Sequence, residues 1–160
     1  TNRIPKKCLY IIDSSNNGMD SHIIPIENQI VFDQKQQCNN GSSSTDMEIC
    51  SLLKVKEKFD TTKFDSIFKL TGKYKVPEIE NLTPHFNSDI VIQSSGYNTE
   101  LIGFKSEKFD DIINSLKSKT GILEDRMILM KNEFTTSHFP KLNIVGPYYK
   151  RADGLKLTNL

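Results

Sequence analysis

Short apolar segments in this sequence alternate with longer stretches in which apolar residues recur every three or four positions. Phe109, Ile112, Ile113 and Leu116 are separated by polar and charged residues. This spacing predicts an amphipathic helix over Glu107 to Ser118. The shorter apolar segments end at turn-forming residues, as buried strands do. Alternating strands and helices predict an α/β fold, with a mixed, mainly parallel sheet and helices on both faces.

The other predicted elements follow the same alternation. Thr45 to Glu48 has the capping-box sequence and predicts a helix from about Asp46 to Phe59. The polar segment Gln34 to Thr45 is predicted to be an irregular loop. A further helix is predicted over Leu123 to Lys131, and strands over Lys7 to Asp13, Gln29 to Phe32, Ser66 to Leu70, Asp89 to Gln93, Leu101 to Phe104 and Leu142 to Val145.

Length and charge limit the classes of protein to consider. A chain of 160 residues can bury one sizeable core, so we expect a single domain over residues 1–160. Its formal net charge of +1 gives no field that would hold a nucleic acid, and no segment approaches the roughly 18 apolar residues of a membrane span. The cysteines Cys8, Cys38 and Cys50 are odd in number and lack CxxC spacing, so we expect free thiols and a cytoplasmic location.

Three polar segments fall at predicted strand ends or helix starts, where α/β proteins bind ligands. The first is the loop Asn39 to Thr45, in which Ser43 and Ser44 precede the helix predicted at Asp46. The amides and the positive dipole end of a helix amino terminus suit a phosphate or a sugar hydroxyl. The alternative is a solvated loop with an ordinary helix cap.

The second segment, KLTGKY, ends the strand predicted over Ser66 to Leu70. A strand followed by a tight glycine turn presents cationic, hydroxyl and aromatic groups together. Such a set suits a diphosphate and a stacked sugar. The alternative is a strand, a turn and an exposed basic patch. The residues assigned here to binding of the nucleotide or donor are Lys69, Thr71, Gly72, Lys73 and Tyr74.

The third segment, Glu124-Asp125-Arg126, opens a predicted helix. Acids are favoured there by the helix dipole alone, but a carboxylate that projects into a cleft can act as a general base. Arg126 would then pair with the other acid or contact a diphosphate or acceptor. His138, in a late loop, and Lys150, in the final stretch, are further candidates for contact with the acceptor or diphosphate.

Taken in chain order, these segments resemble a known enzyme family. FDSIFKLTGKYKVPEIENL is similar to the fDwIfKlTGRY-l segment of small GT-A-type glycosyltransferases from bacterial surface-polysaccharide clusters and large DNA viruses. NNGSSSTDMEICSLL resembles the loop and helix of that family, and GFKSEKFDDIINSL followed by GILEDRMILM resembles its later acidic region. The resemblance spans roughly Lys7 to Gly146, and TGKY and ED are its specific parts.

The resemblance implies a nucleotide-diphospho-sugar transferase (GT-A) fold and transfer of a sugar from a UDP- or GDP-sugar to a glycan hydroxyl. Asp125, preferred to Glu124, would be the base of an inverting reaction. The resemblance implies that the first βα unit of such folds is missing from this sequence, unless the segment that ends at Asp13 is itself the first strand. In that case Asp13 and Ser14 would lie near the nucleotide.

The sequence departs from the family where other GT-A proteins carry a metal-binding DxD motif. This position reads KLTGK and contains no acid, so Mn²⁺ or Mg²⁺ has no predicted ligand set here. Lys69 or Lys73 would instead neutralise the leaving diphosphate. Lys73 replaces the Arg of the family and lacks its bidentate fork. Two alternatives stay open: a non-catalytic carbohydrate- or partner-binding domain with a degenerate transferase fold, and another α/β enzyme that acts on a phosphorylated small molecule.

Overall fold

The computed structural model describes residues 10–13, 16–18, 20–22, 24–38, 43–71, 76, 87–93 and 99–140, and the backbone of 149–151 and 154–156. Short 3-10 turns lie at Ile26–Asn28, Thr61–Lys63 and Ser106–Lys108. The strands and helices in chain order are β1 (Ile11–Asp13), β2 (Gln29–Val31), α1 (Gln34–Gln37), α2 (Ser44–Lys58), β3 (Ser66–Leu70), β4 (Ile90–Ile92), β5 (Leu101–Lys105), α3 (Phe109–Ser118), α4 (Leu123–Leu129), β6 (Thr136–His138), β7 (Tyr149–Arg151) and β8 (Gly154–Lys156).

The largest sheet has four strands in the order β3-β5-β4-β6. Strand β5 is antiparallel to both of its neighbours, whereas β4 and β6 are parallel. The prediction of a mainly parallel sheet is therefore wrong, and the sheet is mixed. The segment from Ile92 to Leu101 is shorter than the dozen or so residues that a parallel crossover needs, so β5 must return antiparallel to β4.

Strands β3, β4 and β6 run in the same direction, so their carboxyl ends lie at one edge of the sheet, next to the amino end of β5. This edge is called the carboxyl edge below.

The main hydrophobic core lies between this sheet and three helices. Ile90 and Ile92 of β4 and Ile102 and Phe104 of β5 alternate along their strands and face the same side, since side chains of a strand point to opposite faces in turn. The side chains that α2, α3 and α4 bury against them are Ile49, Leu52, Phe109, Ile112, Ile113, Leu116, Leu123 and Met127.

The opposite face of the sheet is covered by residues outside helices. Val91 of β4 and Leu101 of β5 pack there with Val76 and Phe139, all 6% exposed or less. Neither Val76 nor Phe139 lies in a helix. Among the described residues, the helices that were expected on both faces thus lie on one.

Helix α2 joins this layer to a second, two-stranded sheet. Strands β1 and β2 pair in parallel, and Ile30, Phe32 and Cys38 form a small core against which Met47 and Phe59 pack. Since Val55 of α2 touches both cores, the helix lies between the two sheets.

Two local predictions between β2 and α2 were wrong. A four-residue helix, α1, lies within the segment predicted as loop, and the Asp33 side chain caps it by accepting from the amides of Lys35 and Gln36. Helix α2 is capped by Ser43, whose Oγ accepts from the Asp46 amide at 3.2 Å. Thr45, the expected cap, is instead buried at 4% exposure inside the first turn.

The other elements lie close to their predicted positions. Helix α3 is preceded by the 3-10 turn that covers the start of the predicted helix, and α4 ends before Lys131. Strand β6 and the hairpin of β7 and β8 were not predicted, and the strand predicted over Leu142 to Val145 lies outside the described residues. No helix in the described part of the chain is long and apolar enough to cross a membrane.

The expectation of free thiols is wrong for two of the three cysteines. Cys38, after α1, and Cys50, in α2, form a disulfide with a Cα–Cα distance of 6.0 Å. The bridge lies in the small core with Ile30 and Phe32, so two residues without a motif in sequence are brought together by packing. Because disulfides persist in oxidising compartments, the argument for a cytoplasmic location loses its support. Cys8 lies outside the described residues.

Candidate functional site

The carboxyl edge brings residues of the second and third polar segments together with Glu48 of helix α2. Lys69, near the end of β3, forms an ion pair with Glu48 of α2. The same ammonium group donates to the Thr99 carbonyl at 2.6 Å. The Lys69 side chain is only 13% exposed. It therefore ties helix α2 to the sheet and to the segment that enters β5.

Thr99 extends these contacts to helix α4. Its hydroxyl donates to Oε1 of Glu124 at 2.8 Å, and Thr99 is 8% exposed. Glu48, Lys69, Thr99 and Glu124 thus form a continuous chain of contacts, called the Lys69 network below. It joins the α2, β3 and α4 segments at the carboxyl edge.

The two acids at the start of α4 have different surroundings. Glu124 is half buried and accepts from Thr99 through one oxygen. Asp125 is exposed, and its side chain lies beside Gly121, whose φ of +102° favours glycine at this turn. Glu124, and not the preferred Asp125, is the acid that belongs to the Lys69 network.

Arg126 is occupied by protein acceptors. It is 4% exposed, and its guanidinium donates to the Gly121 carbonyl at 2.9 Å, to the Leu116 carbonyl at 3.2 Å and to Asp46 Oδ1 at 2.7 Å. These bonds join the end of α3, the following turn and the start of α2. The predicted contact of Arg126 with a diphosphate or acceptor would have to use its remaining N–H groups.

The amino terminus of α2 already has an anion beside it. The Ser43 hydroxyl donates to Asp46 Oδ2 at 2.7 Å, and Asp46 also faces Arg126. The hydrogen bonds from Ser43 and then from Arg126 hold the pKa of Asp46 below its ordinary value. A carboxylate in the first turn interacts favourably with the helix dipole, and Ser43 has a structural role as the cap that also holds Asp46. Ser44 is exposed in the first turn, and donor binding by the two serines stays a prediction.

Asp13 apart, two of the other residues predicted from the sequence lie at the carboxyl edge, and the rest lie wholly or in part outside the described residues. The Thr71 amide donates to the Glu100 carbonyl at 2.9 Å, which continues the β3–β5 pairing by one residue. His138 ends β6 and is exposed at the same edge. Gly72, Lys73, Tyr74, Ser14 and the side chain of Lys150 lie outside the described residues.

Asp13 lies in the two-stranded sheet and organises its own loop. Its Oδ2 accepts from the amides of Asn17 at 3.1 Å and Gly18 at 2.6 Å. Asn16 and Gly18 have φ values of 63° and 72°, a left-handed conformation that Asn and Gly tolerate best. Asp13 thus fixes the turn after β1, and its predicted place near a nucleotide stays a prediction.

In the described part of the chain, no group of three or more His, Cys, Asp or Glu side chains lies together in a way that could hold a metal ion. Comparisons with models of protein families, with curated proteins and with solved structures find no match for this chain. The functional assignment therefore depends on the sequence motifs and on the geometry of the carboxyl edge.

Sequence reasoning missed Glu48 and Thr99 as parts of the network. Glu48 was interpreted as the acid of a capping box, a local role, whereas its partner is Lys69 on another element. Thr99 lies in a segment without a recognisable motif. Its only available signal was its position two residues before a predicted strand, which does not single it out.

Proposed function

We propose that this chain is a glycosyltransferase domain that moves a sugar from a nucleoside-diphosphate sugar to a hydroxyl of a glycan. The observation that carries the proposal is the Lys69 network, which joins the KLTGKY strand, the ED helix and helix α2 at the carboxyl edge. These are the segments in which the sequence resembles small GT-A-type glycosyltransferases. Ligands of α/β sheets bind at this kind of edge.

Glu124 is the base in this proposal. Thr99 holds Oε1 of Glu124 and thereby fixes the carboxylate, while Oε2 has no hydrogen bond to another described residue. An acceptor hydroxyl would give its proton to Oε2 as its oxygen attacks the anomeric carbon. The bond from that carbon to the diphosphate oxygen breaks, and the nucleoside diphosphate leaves with the electron pair. Attack opposite to the leaving group inverts the configuration.

The charge on the leaving diphosphate needs a cation that is not already paired. Lys69 is neutralised by Glu48, so we assign Lys69 to holding the network together. Lys73 and Lys150, with Thr71 and Tyr74 as neighbours of the donor, keep the diphosphate role that the sequence predicted for them. Mn²⁺ or Mg²⁺, where one takes part, would share this role.

Binding is the first test. A ligand that binds only the folded state at 100 times its Kd stabilises that state by about 2.7 kcal/mol. UDP, GDP, UDP-glucose and GDP-mannose are added at millimolar concentration, with and without Mn²⁺, and the melting temperature is measured. A rise with at least one of them is expected. No rise with any of the four would count against the proposal.

Two variants of adjacent acids then test the base. General bases contribute about 100-fold to 10,000-fold in rate, so Glu124→Gln is expected to lower kcat by at least about 100-fold while nucleotide binding persists. Asp125→Asn, a matched change one residue away on the exposed side, is expected to keep most of the activity. The opposite ranking of the two variants would move the base back to Asp125.

A non-catalytic binding domain is the second candidate, because two predicted phosphate-binding cations are already paired: Lys69 with Glu48 and Arg126 with Asp46. This candidate predicts that a sugar nucleotide or a glycan binds without transfer or hydrolysis. It also predicts that Glu124→Gln and Asp125→Asn are equally harmless to function. Detection of a free nucleoside diphosphate as product would exclude it.

A further inference from the structure

Glu100, between Thr99 and strand β5, has a carboxylate oxygen whose position needs an explanation. The residue is half buried, and its Oε2 is shielded from solvent without a hydrogen-bond partner in the described part of the chain. Leaving a buried polar oxygen unpaired costs free energy, and the cost is larger for a charged group. Native proteins keep few such atoms, so each one calls for a physical reason.

The surroundings of Glu100 indicate a ligand. Its carbonyl accepts from the amide of Thr71, which places its backbone directly beside the residue that follows β3. The residue before it, Thr99, holds both Lys69 and Glu124. The Lys69 ammonium, which donates to the Thr99 carbonyl, is already paired with Glu48. A hydroxyl group would supply the hydrogen bond that Glu100 Oε2 lacks.

We propose that Glu100 is a recognition residue for a hydroxyl group of the sugar nucleotide, with its buried oxygen as the acceptor. This inference rests on the proposed function and adds a residue that neither the motifs nor the family resemblance singled out. The hydroxyl belongs either to the ribose or to the transferred sugar, since both present the same chemistry.

The stability of the ligand-free protein gives the first test. Residues that serve a ligand are commonly unfavourable for the unliganded fold. Glu100→Gln and Glu100→Met are therefore expected to melt at or above the temperature of the wild type. Glu27→Gln, a change at an exposed glutamate in the Ile26–Asn28 turn, is the control. A clear fall in melting temperature for both Glu100 variants would make Glu100 a structural residue and overturn the inference.

Calorimetric titration gives the second test, with UDP, GDP, UDP-glucose and GDP-mannose as probes. A hydrogen bond to a charged group corresponds to about 10-fold to 100-fold in affinity, so Kd is expected to rise in the order wild type, Glu100→Gln, Glu100→Met. Equal losses for the diphosphates and the nucleotide sugars assign the ribose. A loss confined to the nucleotide sugars assigns the transferred sugar.

The failures of the two proposals are distinguishable. If the wild type binds none of the four probes, the proposed function fails and the inference fails with it. If the wild type binds and both Glu100 variants bind equally well, the inference about Glu100 alone is overturned.

Discussion

Opening the disulfide between Cys38 and Cys50 is expected to lower the free energy of unfolding. The size of the loss follows from the number of residues in the loop that the disulfide closes. The two cysteines are 12 residues apart in sequence. In the chain-entropy model, cross-linking a loop of this size removes unfolded-state entropy worth about 3 kcal/mol at 25 °C. For a chain of this length that corresponds to a fall in melting temperature of about 6 to 12 °C.

The assay is urea unfolding followed by circular dichroism, with and without dithiothreitol, on the wild type and on the double variant Cys38→Ala/Cys50→Ala. A Cys8→Ser variant controls for thiol exchange with the third cysteine. Titration of free thiols in the unfolded, unreduced protein is expected to find one thiol and not three. The reasoning is refuted if three thiols are found, or if reduction opens the bridge and leaves the unfolding midpoint unchanged.

Two further predictions concern single side chains. Arg126→Met should lower the free energy of unfolding by about 2 kcal/mol or more, because the carbonyls of Leu116 and Gly121 lose charged donors. Lys117→Met, at an exposed site, is the control. Unchanged stability together with weaker nucleotide binding would instead make Arg126 a ligand contact. Asp89→Asn should reduce the loss of stability in acid. Burial of Asp89 opposes its ionisation, but hydrogen bonds from Thr135 outweigh burial and lower its pKa. A carboxyl group whose pKa is lowered in the folded state contributes stability that is present above its unfolded pKa of about 3.9. That stability is lost as the pH falls through the folded pKa. Identical acid unfolding curves for the wild type and Asp89→Asn would contradict this prediction.

The elements with a regular apolar period were predictable from sequence. Helix α3 places Phe109, Ile112, Ile113 and Leu116 in the core, as their spacing indicates. Strand β3 has the predicted bounds, from Ser66 to Leu70, because its mostly apolar segment is followed in the sequence by Thr-Gly. In both cases the local pattern and the tertiary packing require the same structure.

Features that depend on distant residues were not predictable in this way. The direction of β5 depends on which strand it joins, and the pairing of Cys38 with Cys50 depends on how α1 meets α2. Ser43, and not Thr45, caps α2, and Thr45 is buried inside the first turn, which the capping-box pattern alone does not indicate. Strand β6 has the sequence Thr-Ser-His, and only its pairing with β4 makes it a strand.

At the candidate site, the sequence predicted which segments matter better than it predicted what each residue does. Lys69, Glu124 and Arg126 all lie in segments that meet at the carboxyl edge or beside it. Lys69 and Arg126, however, form ion pairs with Glu48 and Asp46, and Glu124 accepts a hydrogen bond from Thr99. No pattern in a single sequence identifies such partners.

The contacts at the carboxyl edge join residues that are far apart in the chain. Lys69 and Thr99 are 30 residues apart, Thr99 and Glu124 are 25 apart, and Asp46 and Arg126 are 80 apart. Closing loops of such lengths costs entropy that one hydrogen bond does not recover, so these contacts depend on the rest of the fold, including the pairing of β3 with β5, to hold the segments together. A fragment that ends before β5 would contain the residues of α2 and β3 but would lack the strand with which β3 pairs, so it could not assemble this edge. Binding of a ligand at the carboxyl edge would consequently require that the chain be folded from α2 through α4.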